Sequence, residues 1–166
     1  MSRKEAFLKT LDQEHETTMR VLRAFPPDQL DLKPSPKSKS ARELAFLFVG
    51  ESGLGMKIWN DELAKGFEPG SKAPEPPESW DELLQMFEQS HQAYRQLIAS
   101  ASEEDFDAQV SFFVAPKTMG KLTRHEWIWF LLHDQIHHRG QFSVYLRIAG
   151  AKVPSIYGPT ADEPWV

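Results

Sequence analysis

The chain of 166 residues contains no cysteine. That excludes disulfides, iron–sulfur clusters, thiolate zinc sites and cysteine nucleophiles, and it accords with a reducing cytoplasm. Basic charge is scarce as well: 19 Lys and Arg stand against 24 Asp and Glu, a net charge of −5. A protein that holds nucleic acid by neutralising phosphates needs the opposite balance, so no nucleic-acid partner is expected. Long hydrophobic runs are missing too, since no stretch approaches the roughly 20 apolar residues of a membrane span. The start, Met1-Ser2-Arg3-Lys4-Glu5, leads into an amphipathic pattern and not into the apolar centre of a signal peptide. The expectation is a cytoplasmic protein with no membrane partner. No glycine-rich phosphate loop, His-Glu-x-x-His motif or Ser-His-Asp order is visible, so a catalyst has to come from another source.

What is present suits one globular domain over residues 1–166. The 40% hydrophobic and 26% charged fractions are ordinary for a packed soluble chain. Four places carry a Ser or Thr followed three residues later by Glu: Ser2/Glu5, Ser40/Glu43, Ser79/Glu82 and Thr123/Glu126. In a capping box the hydroxyl takes one orphan N–H of the first turn and the carboxylate reaches back to another. Each pair here opens a segment with apolar residues at helical spacing, which predicts four helices.

The first helix is expected from about Arg3 to Ala24, with Phe7, Leu8, Leu11, Met19 and Leu22 as its stripe, His15 on or beside it, and Pro26-Pro27 as its stop. The second begins after Ser40, where Leu44, Leu47, Phe48, Glu51, Leu54 and Ile58 repeat along one face. That places the Glu51 carboxylate in an apolar stripe, where it must reach water or find a partner. The third follows Ser79, with Leu83, Phe87, Tyr94, Leu97 and Ile98 inward and His91 read as surface. The fourth runs from Thr123 to Gly150, about 26 residues or roughly 39 Å. Within it, Trp127 to Leu132 is apolar all round, which predicts burial on most of its circumference. Between the third and fourth helices, Val110-Ser111-Phe112-Phe113-Val114 reads as an extended segment.

Residues 26–39 and 66–78 are proline-rich linkers, the second including Pro69 and Gly70. All three connections exceed the usual length between neighbouring antiparallel helices, which leaves room for crossovers. The tail from Lys152 onward is not helical, but Ile156, Tyr157 and Trp165 predict that it docks on the bundle. No internal repeat or low-complexity tract is visible.

The densest run of capable side chains is His133-Asp134-Gln135-Ile136-His137-His138-Arg139-Gly140-Gln141. His133 and His137 are one turn apart on one helix face, a ready pair of ligands for a divalent metal such as zinc, nickel or iron. Gln141 is one turn after His137 and is placed to support the site from behind. His138 points away from the 133/137 face by roughly 100°. Four after Asp134, it reads as half of a charge-assisted pair on the outer face. Arg139 is expected to anchor a neighbouring loop or the tail.

At His137-His138-Arg139-Gly140-Gln141, followed by Tyr145-Leu146-Arg147, Gly150, Val153-Pro154 and Tyr157-Gly158-Pro159, the chain resembles the DinB/YfiT-like superfamily of bacterial four-helix-bundle proteins. The resemblance extends to the proline-rich linker and to Ser40-Ala41-Arg42-Glu43-Leu44-Ala45, and it spans nearly the whole chain. It implies an all-α fold, a four-helix bundle with long crossover connections. It also implies a divalent metal held by three histidines, two of them four apart on the last helix, which match His133 and His137. The third, from the second helix, would fall at Leu47, and leucine cannot bind a metal.

Three outcomes stay open at that point. Glu51, one turn beyond Leu47, can replace the missing ligand, since side chains lean toward the helix N-terminus. The pair can be a remnant with little metal affinity. A third ligand can come from His15 or His91. The resemblance implies metal-dependent chemistry on a small molecule, hydrolysis or thiol S-transfer, in a pocket with aromatics such as Phe48, Trp129 and Phe130. The alternative is a degenerate, non-catalytic bundle serving as a stress-linked binding protein. A homodimer is a further expectation, because an amphipathic bundle can leave one apolar face for a second copy.

Overall fold

The computed structural model describes residues 1–66, 68 and 74–166, so Pro69 and Gly70 of the second linker lie outside the described residues. Four helices dominate: α1 (Arg3–Arg23), α2 (Ala41–Trp59), α3 (Trp80–Ser100) and α4 (Arg124–Ile148). Each starts on the hydroxyl residue expected of it. Ser2, Ser40 and Thr123 accept the N–H of Glu5, Glu43 and Glu126, and those carboxylates accept the N–H of the capping residue in return. Ser79 accepts the Glu82 N–H at 3.3 Å without the return bond, so three of the four boxes are complete. Gly150 closes the last helix at φ +73°, a left-handed conformation that costs glycine nothing.

The extended segment is one arm of a hairpin. Strand β1 (Gln109–Ala115) pairs antiparallel with β2 (Thr118–Thr123), and β2 runs directly into the cap of α4. The partner strand, Thr118-Met119-Gly120-Lys121-Leu122-Thr123, lacks the β-branched run that marks its neighbour, and sequence pattern alone passed over it.

The core divides into two apolar halves. One gathers Met19, Leu22 and Phe25 of the α1 end with Ala41, Leu44 and Phe48, Trp80, Leu83 and Phe87, and Phe142 and Leu146. The other gathers Phe7 and Leu11 with Ile58 and Trp59, Tyr94 and Ile98, and Trp127, Ile128 and Leu131. Read along each helix, these memberships give directions. α1 and α4 run one way, and α2 and α3 run the other. α1 packs on α3 and α4, as does α2, so the consecutive pairs α1/α2 and α3/α4 are diagonal. α2 ends and α3 begins at opposite ends of the bundle, so the connection between them has to span its length.

Between the two halves, every helix contributes buried polar side chains: His15 and Thr18, Glu51 and Ser52, His91, and Gln135 and Arg139. This polar belt crosses the middle of the bundle. The tail folds back over one end, with Val153 and Pro154 buried. The Trp165 indole donates to Ser155 Oγ at 2.9 Å. Among the described residues, no helix is long and apolar enough to cross a membrane.

At Gly55 the lack of a side chain lets α2 sit tightly against its neighbours. A Cβ there would lie 2.7 Å from Leu131 Cδ2 and 2.8 Å from Tyr94 Cε2, both in the packed core. A Cβ on Gly53 would meet nothing within 4 Å. Gly55→Ala is therefore expected to destabilise by about 1–3 kcal/mol despite better helix propensity. Gly53→Ala should stabilise by up to about 1 kcal/mol. Urea unfolding of the two variants checks both signs.

Candidate metal centre

The stripe Leu44, Phe48, Glu51, Gly55 and Ile58 turns the Glu51 side chain into the bundle, where the residue is 7% exposed. Its Oε1 lies 2.5 Å from His138 Nδ1 of α4. Its Oε2 is buried with no hydrogen-bond partner. A carboxylate oxygen in that state is costly unless something positive completes it. Burial pushes the Glu51 carboxyl up from its ordinary range, against the opposing pull of the His138 hydrogen bond. The same hydrogen bond raises His138, and the nearby Asp134 charge adds to it.

Asp134 completes the arrangement. One donor atom each from Glu51, Asp134 and His138 lies within 4.8 Å of the others. Among the described residues this is the one set of three or more metal-ligating side chains so close together. Two carboxylates and an imidazole make a donor set for a hard-to-borderline divalent cation. The orphaned Oε2 of Glu51 is the atom such a cation would satisfy, so the residues fit a metal.

The structure places the expected ligands apart from one another. Glu51 is inward and paired, as its place in the stripe requires. His133 and His137 are exposed, on the opposite side of α4 from its buried stripe. The Gln141 amide donates to His137 Nε2 at 2.8 Å, so that support exists on the solvent side. The neighbours of Glu51 are instead Asp134 and His138, whose four-residue spacing predicts a pair on the outer face. A signal for them was present. Trp127, Leu131, Phe142 and Tyr145 are buried, and the same steps through the middle of the helix pass 134 and 138, which lie half-buried beside the fully buried Gln135 and Arg139. The aromatic run hid this phase: Phe130 within it is 48% exposed, packed against Phe112 and Trp127. Phe48 is wholly buried in the core, and Trp129 packs edge-on against Phe7.

His15 and His91 belong to a different part of the belt. Their rings stack at 3.7 Å between α1 and α3. His15 Nε2 lies 3.0 Å from Glu88, and His91 Nε2 lies 3.6 Å from Asp12. His91 is buried and not on the surface, because Phe87, His91, Tyr94 and Ile98 form one stripe on α3. Arg139 is 1% exposed and ties α1 to the tail. It donates to Glu14 Oε2 and to the Tyr157 hydroxyl, each at 2.6 Å.

The family model for the DinB family matches residues 1–165. A relative, YrdA of Bacillus subtilis (strain 168), is 25% identical over 158 residues, which cover 95% of this chain and 89% of YrdA. Among solved structures, a DinB-like protein of Bacillus cereus superposes with a TM-score of 0.73 at 23% identity, covering 92% of this chain and 97% of that one. YfiT of Bacillus subtilis, described as a probable metal-dependent hydrolase with an unusual four-helix bundle topology, superposes with a TM-score of 0.63 at 14% identity. That match covers 90% of this chain and 89% of YfiT. At these identities the solved structures speak for the fold.

Burial, reinforced by the neighbouring His15, lowers His91 to about 4. The unfolded chain takes up this proton first as pH falls through about 6.5, while the folded chain resists it. Stability is therefore full above that pH and declines toward pH 4, by up to about 3 kcal/mol from this group. Urea midpoints across that range should fall with acid in the parent and fall less in His91→Gln.

Proposed function

The chain belongs to the DinB family, and from that premise we propose that it holds a divalent metal ion at Glu51, Asp134 and His138 and uses it on a small-molecule substrate, in hydrolysis or thiol S-transfer. The observation that carries this reading is the half-paired carboxylate: Glu51 has one oxygen on His138 and the other buried without a partner. Asp134 stands close enough to share a ligand. The description of YfiT as a probable metal-dependent hydrolase lends the reaction class its support. Zinc, nickel and iron remain the candidates named by the histidine chemistry, and two carboxylates add manganese.

A metal ion bound there supplies a Lewis acid that lowers the pKa of a water or a substrate thiol. The chain's own residues hold it and control protons. Glu51, fixed on α2 in a low-dielectric interior, orients the His138 imidazole through the 2.5 Å bond. Glu51 and His138 share a proton through that bond, and the residues would have to lose it before they could hold a cation, so metal affinity falls with falling pH. Asp134, half-buried, sits on the α4 turn before His138 and fixes the second carboxylate relative to the imidazole.

A second reading has one observation in its favour. Leu47, where a histidine ligand is expected from the family resemblance, packs as a partly buried apolar residue against the core. A bundle short of that ligand would serve as a non-catalytic binding protein.

Mass spectrometry of tag-free protein, after incubation with zinc or manganese, separates the two. The metalloprotein reading expects about one ion per chain, with Glu51→Gln and His138→Ala binding at least about 100-fold more weakly. His133→Ala and His137→Ala should retain the ion. Metal lost from the exposed-histidine variants instead, or no metal in the parent, would sink it.

A further inference from the structure

His138 is also a wall of a cleft of about 420 Å³. The other walls come from the 34–39 linker, from α2 and from α4. They include Lys39, Leu44, Leu47, Val144 and Tyr145. The volume is in the range of sites for small molecules. No carboxylate lines the cleft, although the chain as a whole carries a net charge of −5.

The one side chain of fixed charge in the lining is Lys39. Lys33 and Lys121, by contrast, are occupied: Lys33 pairs with Glu43 at 3.6 Å, and Lys121 with Asp61 at 3.8 Å. No hydrogen bond or ion pair engages the Lys39 ammonium among the described residues. The backbone beneath it is fixed, because the Tyr145 hydroxyl donates to the Lys39 carbonyl at 2.8 Å. Lys39 thus brings to the cleft a positive charge whose counter-charge is left open.

The remaining walls are apolar. Leu44 is buried, Leu47 is half-buried, and Val144 is 54% exposed on the cleft side of α4. Leucine at position 47 gives the cleft an apolar floor where an imidazole would have offered a polar one. An acid-free cleft with one unpaired ammonium and an aliphatic floor selects by charge and by hydrophobicity together.

We propose that this cleft binds a small amphiphilic anion, its single negative head group on the Lys39 ammonium and its short apolar body over Leu44, Leu47 and Val144. The proposal rests on the metal reading above only for the chemistry that follows binding, and it names the class of substrate that would be presented to His138. Leu47 becomes a specificity residue under this account. Cationic ligands are disfavoured by Lys39.

Hexanoate, hexanol and hexylammonium separate these contributions, because they share an alkyl body and differ in head charge. Their affinities are read by amide chemical shifts of the ¹⁵N-labelled full chain, first after treatment with EDTA and then after incubation with zinc. Hexanoate should bind about fivefold tighter than hexanol, the size of one solvent-facing ion pair, with hexylammonium weakest. The shifts should centre on Leu47 and Val144. Lys39→Gln, an exposed position, should bring hexanoate to the level of hexanol. Leu47→Asn should weaken hexanoate and hexanol alike, with unchanged circular dichroism. Equal binding of the three probes, preference for hexylammonium, or a hexanoate preference that survives Lys39→Gln would overturn the proposal. A hexanoate preference in protein that takes up no zinc upholds the cleft and sinks the metal reading. Zinc uptake with no hexanoate preference overturns the cleft and leaves the metal reading standing.

Discussion

A carboxylate in the apolar stripe of a helix has to be answered by the rest of the bundle. Glu51 is that carboxylate, and its answer is His138, brought to 2.5 Å by the packing of α2 against α4. Removing one member of such a buried pair typically costs about 3–5 kcal/mol, because the other charge is left behind. Half of the carboxylate is still unanswered, since Oε2 is buried and unpartnered. A group in that condition persists in a folded chain when a ligand completes it or when its cost is accepted for function.

The surrounding architecture makes the arrangement affordable. Two apolar halves, each built from all four helices, enclose a belt of polar groups at mid-height. Within the belt the groups are paired locally: His15 with Glu88, Arg139 with Glu14 and Tyr157, Glu51 with His138. Arg139 and His138 are adjacent in sequence yet serve different helices, α1 and α2, because a 100° step on α4 turns them to different neighbours. The long connection between α2 and α3 follows from the same design. With α2 and α3 parallel, the chain has to return the length of the bundle between them, which a short turn cannot do.

Much of this fold can be read directly from sequence. The four hydroxyl–Glu pairs mark every helix start, Gly150 and Pro26-Pro27 mark ends, and the Glu51 stripe position follows from period alone. The phase of α4 was harder. Trp127 to Leu132 is apolar at every position, so it carries no information about which side faces inward. The histidine pair at 133 and 137 lies on the exposed side, while the fully buried stripe steps through Ile128, Leu132, Gln135, Arg139, Phe142 and Leu146 and leaves Asp134 and His138 half-buried along its edge. His91 was misplaced for a related reason: polar Ser90 and Gln92 flank it, but its own helical position lies among Phe87, Tyr94 and Ile98. Strand β2 carried no pattern of its own and exists through its pairing with β1.

The central claim is that the metal-ligating centre of this bundle is Glu51, Asp134 and His138, inside the α2–α4 interface. Anomalous scattering from crystals grown with zinc tests it most directly. The account predicts one strong peak within coordination distance of the Glu51 and Asp134 carboxylates and the His138 imidazole. A peak between the exposed His133 and His137, with none at Glu51, would contradict it.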